Sequence, residues 1–118
     1  VEADLESVRN GIAGKDFTLV GATAEHNALK MHATMMTTKP VIIYWSPATI
    51  DVMHSVMKWR EEGLESYFTM DAGPQVKVLC LEKDVNDIIN RLEGMENIIK
   101  AIVCSPGDGA RLVDEHLF

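Results

Sequence analysis

The chain has 118 residues, 47% of them hydrophobic and 25% charged, the composition of an ordinary globular domain rather than of a disordered or membrane-embedded chain. Its net charge of −7, from 11 Lys and Arg against 18 Asp and Glu, argues against nucleic acid and anionic lipid as partners. No apolar run approaches the roughly 20 residues needed to cross a bilayer.

The first element is a helix from Val1 to about Ala13, with apolar residues at three- and four-residue spacing and Gly14 as its left-handed stop. Because Val1 opens inside that pattern, the chain reads as a fragment or a processed product, with loss of an initiator methionine as the simpler alternative. A second helix is expected from Asp16 to Met36, antiparallel to the first, burying Leu29, Ala33 and Met36 while Lys30 and Thr34 face outward. Pro40 halts its continuation, and the β-branched and aromatic run Val41–Trp45 fits an extended segment or strand. Ser46 and Pro47 announce a third helix as cap and first-turn residue. Ile50, Met53, Met57 and Leu64 form its expected inner face, with Trp59 flanking and Gly63 as the stop.

Two strands follow, Ser66–Met70 and Val76–Leu81, joined by the turn Asp71-Ala72-Gly73-Pro74-Gln75 into a hairpin. Asp84 is expected to cap a fourth helix, in which Val85, Ile88, Ile89 and Leu92 recur at helical spacing until Gly94. Ile98–Cys104 reads as a strongly apolar strand, and Ala110–Val113 as a last short one after the Ser105–Gly109 turn. The fold class is therefore α+β, a single domain over residues 1–118 with a mostly antiparallel sheet covered by helices on one face. That architecture serves many functions, so it names no chemistry.

The chemistry-bearing residues are few. No phosphate-cradling loop opens a helix, and Pro106-Gly107-Asp108-Gly109, the nearest candidate, has the composition of an ordinary turn. His26 and His32 fall on different helix faces, while Asp51 and His54 share a face without a third ligand in reach, so no metal site is expected. Cys80 and Cys104 lie in apolar segments without a neighbouring histidine and read as buried free thiols, which fits a reducing, cytoplasmic setting. The seven methionines read as filler for an irregular core. Asp71 stands where a strand ends and the backbone turns sharply, so its carboxylate is held at the rim of a sheet. Local sequence alone favours an aspartate bonding its own turn.

The string Tyr67-Phe68-Thr69-Met70-Asp71-Ala72-Gly73-Pro74 closely resembles the segment of mevalonate diphosphate decarboxylases that carries their catalytic aspartate. Three further stretches agree in order and spacing: Met31-His32-Ala33-Thr34 with Pro40 downstream, Tyr44-Trp45 before a helix, and Ser105 to Glu115. The family's usual asparagine after Ala-Gly-Pro is Gln75 here, and its second proline beside Pro40 is Lys39. The resemblance implies the carboxy-terminal, ferredoxin-like domain of the GHMP kinase superfamily, with the ATP-binding amino-terminal domain of the same enzyme outside these residues.

It further implies ATP and Mg2+ as cofactors bound mainly by that other domain, mevalonate 5-diphosphate as the substrate and a homodimeric assembly. Asp71 would be the catalytic carboxylate that accepts or orients the proton of the substrate's tertiary hydroxyl, with Ala72 and Gly73 beside the substrate. A monophosphate-specific decarboxylase or kinase, or a non-catalytic small-ligand module, remains the alternative.

Overall fold

The computed structural model describes residues 2–113. Helices α1 (Glu2–Gly14) and α2 (Phe17–Met36) are joined by a tight turn, and α3 (Pro47–Glu61) follows residues 37–46, which form no helix or strand. The hairpin of β1 (Ser66–Thr69) and β2 (Lys77–Cys80) comes next, then a 3-10 turn (Glu82–Asp84) that runs into α4 (Val85–Glu93). The two strands pair antiparallel, with Ser66 opposite Cys80 and Thr69 opposite Lys77. The α+β class holds, as an antiparallel sheet packed against helices.

Helix α1 lies antiparallel to α2: Asp4 near the start of α1 accepts hydrogen bonds from Asn27 and Lys30 on the later turns of α2. Gly11 near its end lies so close to Val20 that an added Cβ would meet the Val20 methyl at 2.7 Å. The turn between them differs from expectation in one residue. Lys15, not Gly14, takes the left-handed conformation, at φ 55°. Asp16 then caps α2, its carboxylate accepting from the Leu19 N–H at 2.9 Å, which satisfies one of the four orphan donors of a helix start.

The buried face of α2 is Gly21, Ala28 and His32 rather than the Leu29, Ala33 and Met36 stripe; Ala33 is exposed, and Leu29 and Met36 are half-buried. Small side chains bring α2 close to β1. A Cβ on Gly21 would overlap the Tyr67 ring at 2.0 Å. Helix α3 is rotated in the same sense: Thr49, Val52, Met53, Val56 and Trp59 are buried, whereas Ile50 and Met57 are exposed. Both helices carry apolar residues on two adjacent faces, so spacing alone leaves the rotational phase open.

The main core joins Val52, Met53, Val56 and Trp59 of α3 to Phe68, Met70 and Ile88. Burying a side chain such as Phe68 contributes about 1.5–3 kcal/mol. Successive strand residues point to opposite sides, so Tyr67 meets α2 while Phe68 and Met70 meet α3 and α4. Strand β1 is thus buried on both sides, not on one face only.

Two expected strands are absent: residues 98–104 and 110–113 form none. Val41–Trp45, expected as an extended segment or strand, has no ladder partner among the described residues. A strand exists only where another backbone takes up its N–H and C=O groups, and among the described residues β1 and β2 are the one such pair. Consequently Val41, Ile43, Ile99, Ile102 and Val103 lie exposed. Cys104 is exposed as well, contrary to its expected burial, and Cys80 is half-buried. Asp84 occupies the cap position of α4 but makes no side-chain cap bond, because the 3-10 turn already carries the chain into the helix.

Candidate functional site

The tip of the β1–β2 hairpin carries Asp71. Met70 is buried at 1% exposure, and the next residue is in the open, with the Asp71 side chain 85% exposed. The backbone turns through Gly73 at φ +115°, a conformation costly for any residue with a Cβ. An added Cβ would also meet the Gln75 side-chain oxygen at 2.9 Å. Ala72 is exposed and Gly73 half-buried, both on the rim beside the carboxylate.

Among the described residues Asp71 does not bond its own turn. Its carboxylate instead accepts from Lys77 Nζ at 2.5 Å, across the mouth of the hairpin from the first residue of β2. The Lys77 hydrogen bond, followed by its charge, holds the Asp71 carboxyl below the usual carboxylate range. At neutral pH the group is therefore an anion, able to accept a proton or to face a developing positive charge.

The turn is tied to the body by Thr49, which is 1% exposed. Its hydroxyl donates to the Pro74 carbonyl at 3.0 Å and accepts the Ser46 N–H at 3.1 Å. The Ser46 hydroxyl in turn accepts the Thr49 N–H at 3.2 Å. This reciprocal capping box ends the helix start and the hairpin tip in one polar cluster. Ser46 and Pro47 are legible in the sequence as a helix start. Thr49 and Lys77 are not singled out there, although a hydroxyl three residues after a capping serine and a lysine at the mouth of a hairpin were the available signals.

Behind the tip, β1 is braced by a polar clamp. Arg60 and Glu25 form a two-pronged ion pair at 3.0 and 2.9 Å. Arg60 also donates to the Ser66 carbonyl at 2.6 Å, and Glu25 accepts the Phe68 N–H at 3.1 Å. These bonds occupy the Ser66 carbonyl and the Phe68 N–H, two main-chain groups of β1 that another strand would otherwise need for pairing. The guanidinium also sits 4.5 Å from the centre of the Tyr67 ring. Burial first, then the Glu65 charge, pushes the Tyr67 hydroxyl up.

The other residues considered for chemistry are dispersed. His26 and His54 are exposed, and His32 is buried between the rings of Tyr44 and Trp45, at 6.4 and 5.4 Å. Among the described residues no three His, Cys, Asp or Glu side chains gather as a metal site. Among the described residues no helix is long and apolar enough to cross a membrane. Two shallow depressions of the surface, one around Gly11, Phe17 and Val20 and another around His54 and Asn97, are not lined by Asp71. The stretch 105–110 is exposed and irregular.

Comparison with known proteins gives this geometry a context. Residues 1–110 match the family described as Mevalonate 5-diphosphate decarboxylase C-terminal domain. A phosphomevalonate decarboxylase of Haloferax volcanii is 34% identical over 89 residues, 75% of this chain and 28% of that protein. The mevalonate diphosphate decarboxylase of Enterococcus faecalis, in a structure concerned with mevalonate diphosphate mediated ATP binding, is 40% identical with a TM-score of 0.76, covering 81% of this chain and 30% of that one. A structure described as MDDEF in complex with MVAPP, AMPPCP and magnesium is 40% identical with a TM-score of 0.77, over 81% of this chain and 30% of its own. The chain thus spans about three-tenths of the length of these relatives. With the family matched over almost its whole length and the same fold in solved relatives, the chain belongs to the family of mevalonate 5-diphosphate decarboxylase carboxy-terminal domains.

Proposed function

We propose that these residues are the carboxy-terminal portion of a two-domain, ATP-dependent decarboxylase that converts mevalonate 5-diphosphate to isopentenyl diphosphate, with Asp71 as its catalytic carboxylate. The observation that carries this reading is the state of Asp71: an exposed anion at a rigid hairpin tip, paired with Lys77 and not consumed by its own turn. Such a group accepts or orients the proton of the substrate's tertiary hydroxyl as its oxygen would take the γ-phosphoryl group of ATP. Departure of that oxygen as phosphate would leave electron deficiency at the carbon, which the carboxylate's charge stabilises until the C–C bond electrons fill it and carbon dioxide leaves. The exposed Ala72, beside the half-buried Gly73, lets the substrate approach the backbone there.

The described residues offer no glycine-rich loop at a helix start and no acidic cluster to hold a nucleotide and its metal. ATP, which would supply the phosphoryl group that the substrate hydroxyl accepts, and Mg2+ are therefore assigned to the amino-terminal domain. The exposed apolar segments 41–44 and 99–103 support a large covering partner, which we take to be that domain. A homodimer and a cytoplasmic location complete the proposal, the latter in keeping with two free cysteines.

The similarity to a phosphomevalonate decarboxylase favours a second reading, in which the substrate is the monophosphate. Carbon dioxide release by the full-length polypeptide, with ATP and either mevalonate 5-phosphate or 5-diphosphate, decides between them. The diphosphate is expected to give the higher kcat/KM. Residues 1–118 alone are expected to turn over neither ATP nor either substrate, and turnover by that preparation would sink the two-domain reading.

A further inference from the structure

We infer that Thr49 is a positioning residue for Asp71: its buried hydroxyl fixes the hairpin tip against the start of α3. The inference rests on the proposed role of Asp71. Among the described residues, no hydrogen bond between two main-chain groups joins Asp71–Pro74 to one another or to the rest of the chain. The tie from Lys77 to Asp71 joins two exposed side chains, and such pairs hold geometry weakly. The bond from Thr49 to the Pro74 carbonyl is different in kind. Its donor is 1% exposed and belongs to a capping box that is itself part of the helix.

Every bonding capacity of that hydroxyl is used in a definite direction. It donates to Pro74, accepts the Ser46 N–H and lies 3.0 Å from the Ser46 hydroxyl. With its proton committed to Pro74, the Ser46 hydroxyl is left as the donor between the two. The first turn of α3, anchored through Val52, Met53 and Val56 in the core, thereby sets the height and angle of the tip. Val76 packs against the same core on the other side of the turn. Asp71 reaches its substrate from a platform whose position α3 dictates, although no atom of α3 touches the carboxylate in the hydrogen-bond network.

The test uses the full-length enzyme in four forms: Thr49→Val, Thr49→Ser, Gly21→Ala and Asp71→Asn. Thr49→Val keeps the shape and loses the hydroxyl. A displacement on the order of 1 Å costs up to about 10²-fold in rate, so kcat is expected to fall roughly 10- to 100-fold with KM changed by less than about threefold. The acid limb of its pH profile should stay in place, since Asp71 and Lys77 are untouched. Thr49→Ser, which keeps the hydroxyl, should restore kcat. Gly21→Ala, which crowds Tyr67 at the other end of the hairpin, lowers Tm without lowering kcat.

Wild-type kcat in Thr49→Val overturns the positioning role. So does a loss of kcat that tracks loss of folded protein, or one that Gly21→Ala reproduces at the same Tm, because either marks a purely structural residue. Asp71→Asn separates the two layers. If it is inactive while Thr49→Val is fully active, only the positioning role falls; if it keeps wild-type kcat, the reading of Asp71 itself falls.

Discussion

The two ends of the β1–β2 hairpin are held by different means. At the Ser66 end the backbone is clamped by Arg60 and Glu25, packed under Gly21 by Tyr67 and filled beneath by Phe68. At the Asp71 end one buried hydroxyl and one exposed lysine are the polar ties. Bonds at the first end exclude water and stiffen the strand, whereas those at the second leave a carboxylate in solvent with its direction set from outside. Stability and chemistry are thus separated along a single hairpin, and a substitution at one end is expected to spare the other.

Asp71→Asn should give the largest effect and the cleanest break. It keeps the size and the turn but removes charge and basicity, so kcat in the full-length enzyme is expected to fall roughly 10²-fold or more, about 2.7 kcal/mol in the barrier, while Tm stays unchanged. Near wild-type kcat would return Asp71 to the status of a turn residue, and unfolding would show that the tip also carries stability.

Gly21→Ala attacks the other end. The new methyl would sit within 2.0 Å of the Tyr67 ring, and overpacking of this kind costs about 1–3 kcal/mol. The clash is with a ring atom of a buried aromatic, so a value near about 3 kcal/mol is expected in urea unfolding. A loss under half of that would mean α2 can slide away from β1. Glu25→Ala is expected to cost about 2 kcal/mol, because it strands the Phe68 N–H and leaves Arg60 without its carboxylate. Both variants should retain kcat when assayed below their Tm, and a matching loss of kcat would dissolve the separation of the two ends.

Lys77→Met should have the smallest effect. Lys77 lowers the Asp71 carboxyl in the folded protein, so the anion persists to lower pH than it would alone. Without the lysine that group titrates at higher pH, and the acid limb of kcat/KM is expected to move up. The corresponding stability, present above the unfolded-state value and lost as pH falls through the folded one, is small for so exposed a pair. A limb that stays in place or moves down would show that Lys77 does not set the state of Asp71.

Local chemistry was enough to read four helices, the hairpin and its tip. Asp16 and Ser46 carry the capping chemistry that starts α2 and α3, and Gly63 and Gly73 stand where the chain takes positive φ. These features depend on residues a few positions apart, which is why they are legible in one dimension. The tip with Asp71 was legible for the same reason, together with its resemblance to a known segment.

The rotational phase of α2 and α3, the fate of the apolar runs and the ties of Asp71 depended on distant partners. His32 became a core residue, with its ring packed among those of Tyr44 and Trp45, a burial that no apolar periodicity scores. Ile98–Cys104 has the composition of a strand, yet strand formation requires a second backbone at hydrogen-bond distance, and none pairs with it among the described residues. Thr49 and Pro74 lie 25 positions apart, and Glu25 and Phe68 lie 43 apart. Hydrogen bonds over such separations have no local signature, because each partner alone is an ordinary polar group; the packing of α2 and α3 on β1 is what brings them within reach.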